Sequence, residues 1–284
     1  LWMINTTSVS VDSLLNLKGN SIVKENDINL DNIFFRYGIR LNKDLVKDFY
    51  CSPIVLVHGK ESKSQYIPLP WPYYPVVKPI ENKINRGVSS VWIKFASSID
   101  TLKSSTKKTT ILTTSDLSET VQIPNKISLN EATNKLETKN FNQSRLNIGV
   151  LISGNFNSAF QNRIKPANLI EHIDKGNSEM IVFSDGNIAE NQSEKGKYIE
   201  LGYDKWTNNF YENKQFLINT IHYLMDSKEI LNIRNKKNNY PVLDKKLITS
   251  NKNILLYSVL LIPLLILLIL GLCINKYRKT KYGQ

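Results

Sequence analysis

Hydrophobic positions in this chain fall into two regimes. Residues 254–274 form a predominantly apolar run of 21 positions without a charge. At about 1.5 Å rise per residue, that run makes a helix of roughly 31 Å, the thickness of a bilayer's hydrocarbon core. A core helix of a water-soluble domain would carry a polar stripe, and this run has none. Pro263, Gly271, Tyr257, Ser258 and Cys273 interrupt it only in ways a membrane helix tolerates. Its place near the C-terminus excludes a signal peptide, and the ten polar and basic residues behind it fit a GPI-type signal poorly. The pattern predicts one transmembrane helix at 254–274 and a short basic tail at 275–284.

Before that span the apolar runs are short and alternate with polar stretches. Strands are predicted at 53–57, 88–96, 108–114, 146–153 and 180–184, with a strand end at 1–5 and extended chain at 39–41. Helical spacing marks 11–17 with Asp12 as cap. It also marks 26–37, with Asp31 as cap and Gly38 as a left-handed stop. A helical turn is predicted at 44–49, a polar turn at 59–64, and a polar helix or linker at 130–140. Phe156, Phe160 and Ile164 follow one another at helical spacing, and 213–226 is an amphipathic helix. Five prolines in 67–79 argue against both helix and central strand, and predict an ordered aromatic loop of polyproline character. Short continuous apolar strands between helices predict an α/β fold, a layered and largely parallel, Rossmann-like sheet. The expected organisation is an α/β domain over 1–227, a basic linker over 228–253, the span, and the tail.

The net charge of +12 invites a nucleic-acid reading, but its distribution redirects it. The tail holds Lys276, Arg278, Lys279 and Lys281 and no acid. The segment 228–253 holds seven basic residues against Glu229 and Asp244, which leaves +3 for the first 227 residues. The basic excess flanks the span, where anionic headgroups attract it, so membrane lipid is the expected partner and nucleic acid is not. The short tail reads as cytoplasmic and the large domain as extracytoplasmic, since large domains translocate largely regardless of charge. The chain opens at Leu1, so an upstream segment is expected.

Candidate chemistry is sparse. There is no G-x-G-x-x-G, no G-x-x-x-x-G-K-[ST] and no G-x-S-x-G, so no nucleotide cradle or nucleophile elbow is expected. Cys51 precedes Pro53 and an apolar strand, the wrong context for a nucleophile, and Cys51 and Cys273 are not expected to pair because Cys273 lies inside the predicted span. His58, His172 and His222 lack ligand spacing, and neither a metal nor a cofactor is expected. Asp185-Gly186-Asn187 follows a strand end, where open sheets bind ligands and where turns also form. Trp71, Tyr73 and Tyr74 are the candidate interaction residues: on a proline-stiffened loop they either anchor a partner or cap the domain's own core.

Several long stretches resemble one family in collinear order. They include IFFRYGIRLNKDLVKDFYCSPI (33–54), PWPYYP (70–75), FASSIDTL (95–102), KKTTILTTS (107–115), FNSAFQNR (156–163), MIVFSDGNIAENQ (180–192) and LGYDKW (201–206). Together with the helix at 213–226, they are similar to GldG, the auxiliary, substrate-binding-like component of the gliding-motility ABC transporter. The resemblance implies an amidotransferase-like α/β ectodomain without a catalytic set, and an upstream membrane helix. It also implies a permease subunit and a cytoplasmic ATPase as partners in the bacterial inner membrane. A membrane-anchored amidotransferase-like hydrolase, with its nucleophile upstream, and a structural envelope scaffold are the rival expectations.

Overall fold

The computed structural model describes residues 1–58, 65–164, 173–225 and 252–283. The turn expected at 59–64 and nearly all of the linker expected at 228–253 lie outside the described residues. The chain divides into two units, Leu1–Lys236 and Lys237–Gln284.

The first unit is built on a four-stranded sheet. Its order is β1 (Trp2–Met3), β13 (Lys175–Phe183), β12 (Asn147–Asn157) and β9 (Lys107–Thr113). Only the two-residue β1–β13 pairing is parallel; β12 runs antiparallel to both of its neighbours. Small antiparallel sheets surround it. β2 (Asn20–Val23) pairs with β11 (Asn125–Ser128), β3 (Ile39–Leu41) with β8 (Ile99–Thr101), and β4 (Asp44–Asp48) with β10 (Ser118–Gln122). β5 (Cys51–His58), β6 (Gln65–Val77) and β7 (Val91–Trp92) form a three-stranded sheet. Two short hairpins follow, β14 (Ser193–Glu194) with β15 (Lys197–Tyr198), and β16 (Tyr203–Asp204) with β17 (Asn209–Phe210). Among the described residues the α-helices of this unit are α1 (Val11–Asn16), α2 (Asp31–Tyr37) and α3 (Asn213–Leu224).

This architecture corrects the expected layered parallel sheet. The apolar runs at 146–153 and 180–184 do report burial on both faces, but that burial has another cause. Ile148, Leu151, Ile181 and Phe183 face a cluster completed by Phe216 and Leu217 of α3. Val150, Ile152 and Val182 face the opposite way, against Ile4, Phe34 of α2, and Ile39 of β3. Two covered faces make a strand apolar throughout whatever the direction of its neighbour.

The proline segment is the second correction. It is not a loop: β6 lies between β5 and β7. Pro68 and Pro70 occupy alternate positions opposite Val55 and Pro53, and Pro72 continues the series. Backbone N–H groups alternate between the two edges of a strand, so these prolines withhold donors from one edge only. The register then slips between Cys51–Pro75 and Pro53–Pro70, so that residues 71–74 stand opposite Ser52 alone, three residues of excess length on β6. From this stretch on, β6 serves β7's side with acceptors: the Phe95 and Ile93 N–H groups donate to the carbonyls of Tyr73 and Pro75, at 2.9 and 3.0 Å.

Smaller expectations also move. The helical turn expected at 44–49 is instead β4, because the Asp44 carboxylate accepts from the Ser98 N–H and hydroxyl while Asp48 accepts from Ser115 and Tyr50. The helical spacing at 156–164 dissolves because β12 runs on through Gly154, at φ +116°, to Asn157. Ser10, not Asp12, caps α1, in a reciprocal bond with Ser13. Asp31 sits in the first turn of α2 without capping it, and Gly38 ends that helix at φ +86°. The strand expected at 88–96 shrinks to β7. The second unit contains α4 (Lys252–Tyr282), a helix with Pro263 inside it.

Candidate functional site

A two-part cleft in the first unit surrounds Lys94. A polar cavity of about 250 Å³ is lined by Ser10, Asp12, Asn187, Glu190, Asn191, Ser193 and Lys205. An apolar slot of about 150 Å³ is lined by Leu15, residues 53–56, Tyr74, Trp92 and Asp204. The two share Val11, Lys94, Gln192 and Trp206. A larger open groove of about 660 Å³ runs past Asp31, Arg40, Lys43 and Gln143. Its cations are already paired, Arg40 with Asp100 and Lys43 with Glu25 and Asp31.

Lys94 lies just after β7, and the chain must turn there. Phe95 takes a left-handed φ of +56°, a costly conformation for a bulky residue. What holds it is Asp185, at the end of β13. One carboxylate oxygen accepts the Lys94 N–H at 2.8 Å and the other the Asn187 N–H at 2.7 Å. Asn5 ties the same turn by accepting the Gly186 N–H at 2.6 Å. Asp185 is fully buried, and that burial pushes its carboxyl up to about 7, against the two N–H donors and the Lys94 charge that pull it down. The Lys94 side chain is only 10% exposed; its Nζ sits 3.3 Å from Glu190 Oε2 and 4.3 Å from the centre of the Trp92 ring. Opposite, Asp204 accepts from Gln192 Nε2 at 3.2 Å and Thr207 Oγ1 at 2.5 Å. That turn holds Trp206, 56% exposed and stacked on Tyr66 at 6.2 Å.

The three candidate aromatics lie where β6 carries its excess length, and all are buried: Trp71 at 0%, Tyr73 at 2% and Tyr74 at 5% exposure. Trp71 packs on Tyr73 at 5.1 Å, and the Tyr73 hydroxyl donates to Glu131 at 3.2 Å. Tyr74 meets Phe95 and Trp92 edge-on at 5.3 and 5.8 Å, and of the three it alone reaches the cleft wall. Burial raises the phenols of Tyr73 and Tyr74. The indole nitrogens of Trp71 and Trp92 are buried without a hydrogen-bond partner.

The arrangement suits binding better than bond-breaking. Asp185 is sealed and spent on two backbone donors, so it cannot reach a substrate proton. Burial pushes the Cys51 thiol up to about 12, away from the thiolate a nucleophile requires. Among the described residues, no three His, Cys, Asp or Glu side chains converge as metal ligands. The His58 side chain and His172 lie outside what is described, and His222 stands on α3. The Asp185-Gly186-Asn187 turn is therefore a structural clamp whose product is the Lys94–Glu190 wall. Trp92, Lys94, Glu190 and Trp206 were not singled out in the sequence. The one local signal available was the aspartate at a strand end.

A family model described as an ABC-type uncharacterized transport system matches residues 1–220. No curated protein and no solved structure matches the chain.

Proposed function

Because this chain belongs to the family of ABC-type uncharacterized transport system auxiliary components, we propose that it is a non-enzymatic, membrane-anchored subunit of such a transporter. One observation carries the reading: the family match falls in a folded unit, and the chain also holds α4, a helix long and apolar enough to cross a membrane. In this reading α4 anchors the chain in a bacterial inner membrane and touches an ABC permease subunit, while a separate cytoplasmic ATPase hydrolyses ATP. The first unit is extracytoplasmic, the segment 228–253 links it to the span, and the cleft around Lys94 binds or positions a ligand. The gliding-motility transporter is the finer assignment, supported by stretches such as PWPYYP and MIVFSDGNIAENQ.

Affinity purification of the detergent-solubilised full chain tests it. The permease and ATPase are expected to co-purify, and deletion of residues 252–284 is expected to release the permease. Purification of the full chain free of both subunits would refute the reading. For topology, a Gln284→Cys variant is expected to resist a membrane-impermeant thiol reagent applied to intact spheroplasts and to react once they are opened. Equal labelling before and after permeabilisation would place the tail outside.

A further inference from the structure

We propose that the C-terminal end of α4 is a binding collar for anionic phospholipid headgroups. The inference rests on the membrane-span reading of α4 and goes beyond it to lipid selectivity. The helix does not stop where its apolar run stops: it continues through Tyr282, and the Gly283 N–H closes it by donating to the Lys279 carbonyl at 2.9 Å. Lys276, Arg278, Lys279 and Lys281 are therefore held on a helix. At 3.6 residues per turn, successive side chains rotate by about 100°, which sends these four around the axis as a ring rather than down one stripe.

The ring's depth matches the layer it would occupy. Lys276 to Lys281 spans roughly 7.5 Å along the helix. A bilayer of about 40–45 Å with a core of about 30 Å leaves roughly 5–8 Å of headgroup on each side. The ring begins two residues beyond Ile274, the end of the apolar run, so at about 1.5 Å per residue Lys276, Arg278 and Lys279 fall in that layer and Lys281, about 10.5 Å out, stands at its aqueous edge. Two tyrosines fix the depth: the Lys281 ammonium lies 5.6 Å from the Tyr277 ring and 5.5 Å from the Tyr282 ring, a cation between two amphipathic side chains of the kind that settle at the interface. Within α4 itself there is neither Asp nor Glu. Thr280 donates its hydroxyl to the Lys276 carbonyl at 2.6 Å, leaving the four cationic side chains as the charged chemistry of this end. Guanidinium and ammonium groups in this arrangement fit phosphate-bearing headgroups with net negative charge over zwitterionic ones.

The test uses the full chain reconstituted in vesicles of phosphatidylcholine with phosphatidylglycerol. Spin-labelled analogues of each lipid measure the motionally restricted fraction. The wild-type chain is expected to restrict phosphatidylglycerol several-fold more than phosphatidylcholine, and the preference is expected to fall as NaCl rises from 50 to 500 mM. The variant carrying Lys276→Gln, Arg278→Gln, Lys279→Gln and Lys281→Gln is expected to restrict both lipids equally. The salt series on the wild-type chain keeps the test decisive if that variant inserts poorly. Equal restriction of both lipids by a wild-type chain that resists alkaline extraction would overturn the collar. Loss of the preference in millimolar glycerol phosphate would overturn it in favour of a soluble phosphate site. Release of the wild-type chain by alkaline extraction would instead overturn the span on which the collar depends.

Discussion

Replacing Trp71 by alanine is expected to destabilise the first unit by about 3–5 kcal/mol, the usual cost of removing a large aromatic side chain from a core. Trp71 is 0% exposed and rests on Tyr73, which is itself fixed by Glu131 and by the Lys47 ammonium 4.8 Å above its ring. The void would open where β6 carries its excess length, and the neighbouring strands hold the walls apart. For a domain of this size each kcal/mol moves the midpoint by roughly 2–4 °C, so a fall of about 10 °C is expected. Tyr74→Ala should cost a comparable amount and also open the cleft wall, since Tyr74 meets Trp92 and Phe95. Melting and permease co-purification, measured on one preparation, separate the two roles left open for these aromatics. Lowered melting with the partner retained assigns them to the core. Unchanged melting with the partner lost would assign them to an interface.

The second large effect concerns Asp185 and pH. Its carboxyl stands near 7 when folded against an ordinary 3.8, so between about pH 4 and 7 the folded chain holds a proton that the unfolded chain has released. Stability from this group is therefore greatest at and below about pH 4 and declines as pH rises to about 7, by up to about 1.4 kcal/mol per pH unit. Above 7 the cost is complete and flat. Asp44 and Asp48 are also raised by burial and slope the same way, so the single-site effect is read as a difference. Asp185→Asn is expected to flatten the pH dependence of the urea midpoint across this window. It is also expected to lower stability at every pH, because an amide cannot accept both the Lys94 and the Asn187 N–H. Parallel curves for wild type and variant would show that the buried carboxyl does not titrate there.

Much of the local structure was legible in the residues alone. An uncharged run of bilayer length, the 3.6-residue pattern of α3, the left-handed stop at Gly38 and the apolar cores of β9, β12 and β13 are properties of neighbours in sequence, and all were read there. Hydrophobicity reports that a side chain is covered, and backbone chemistry reports which turns it permits; both are short-range facts. Strand direction is not. Nothing in 146–153 or 180–184 states that the two runs pair antiparallel, since α3 on one face and α2 with β3 on the other produce the same continuous apolar pattern as a parallel sheet. Proline in 67–79 argues against a central strand, yet alternation confines the missing donors to one edge, and only the tertiary pairing shows that β5 uses the other. The cleft is the most non-local feature of all. Lys94 is brought to Asp185 by a buried carboxylate gripping its distant backbone amide, Gln192 and Trp206 are held across the cleft by Asp204, and no spacing along the chain encodes those contacts.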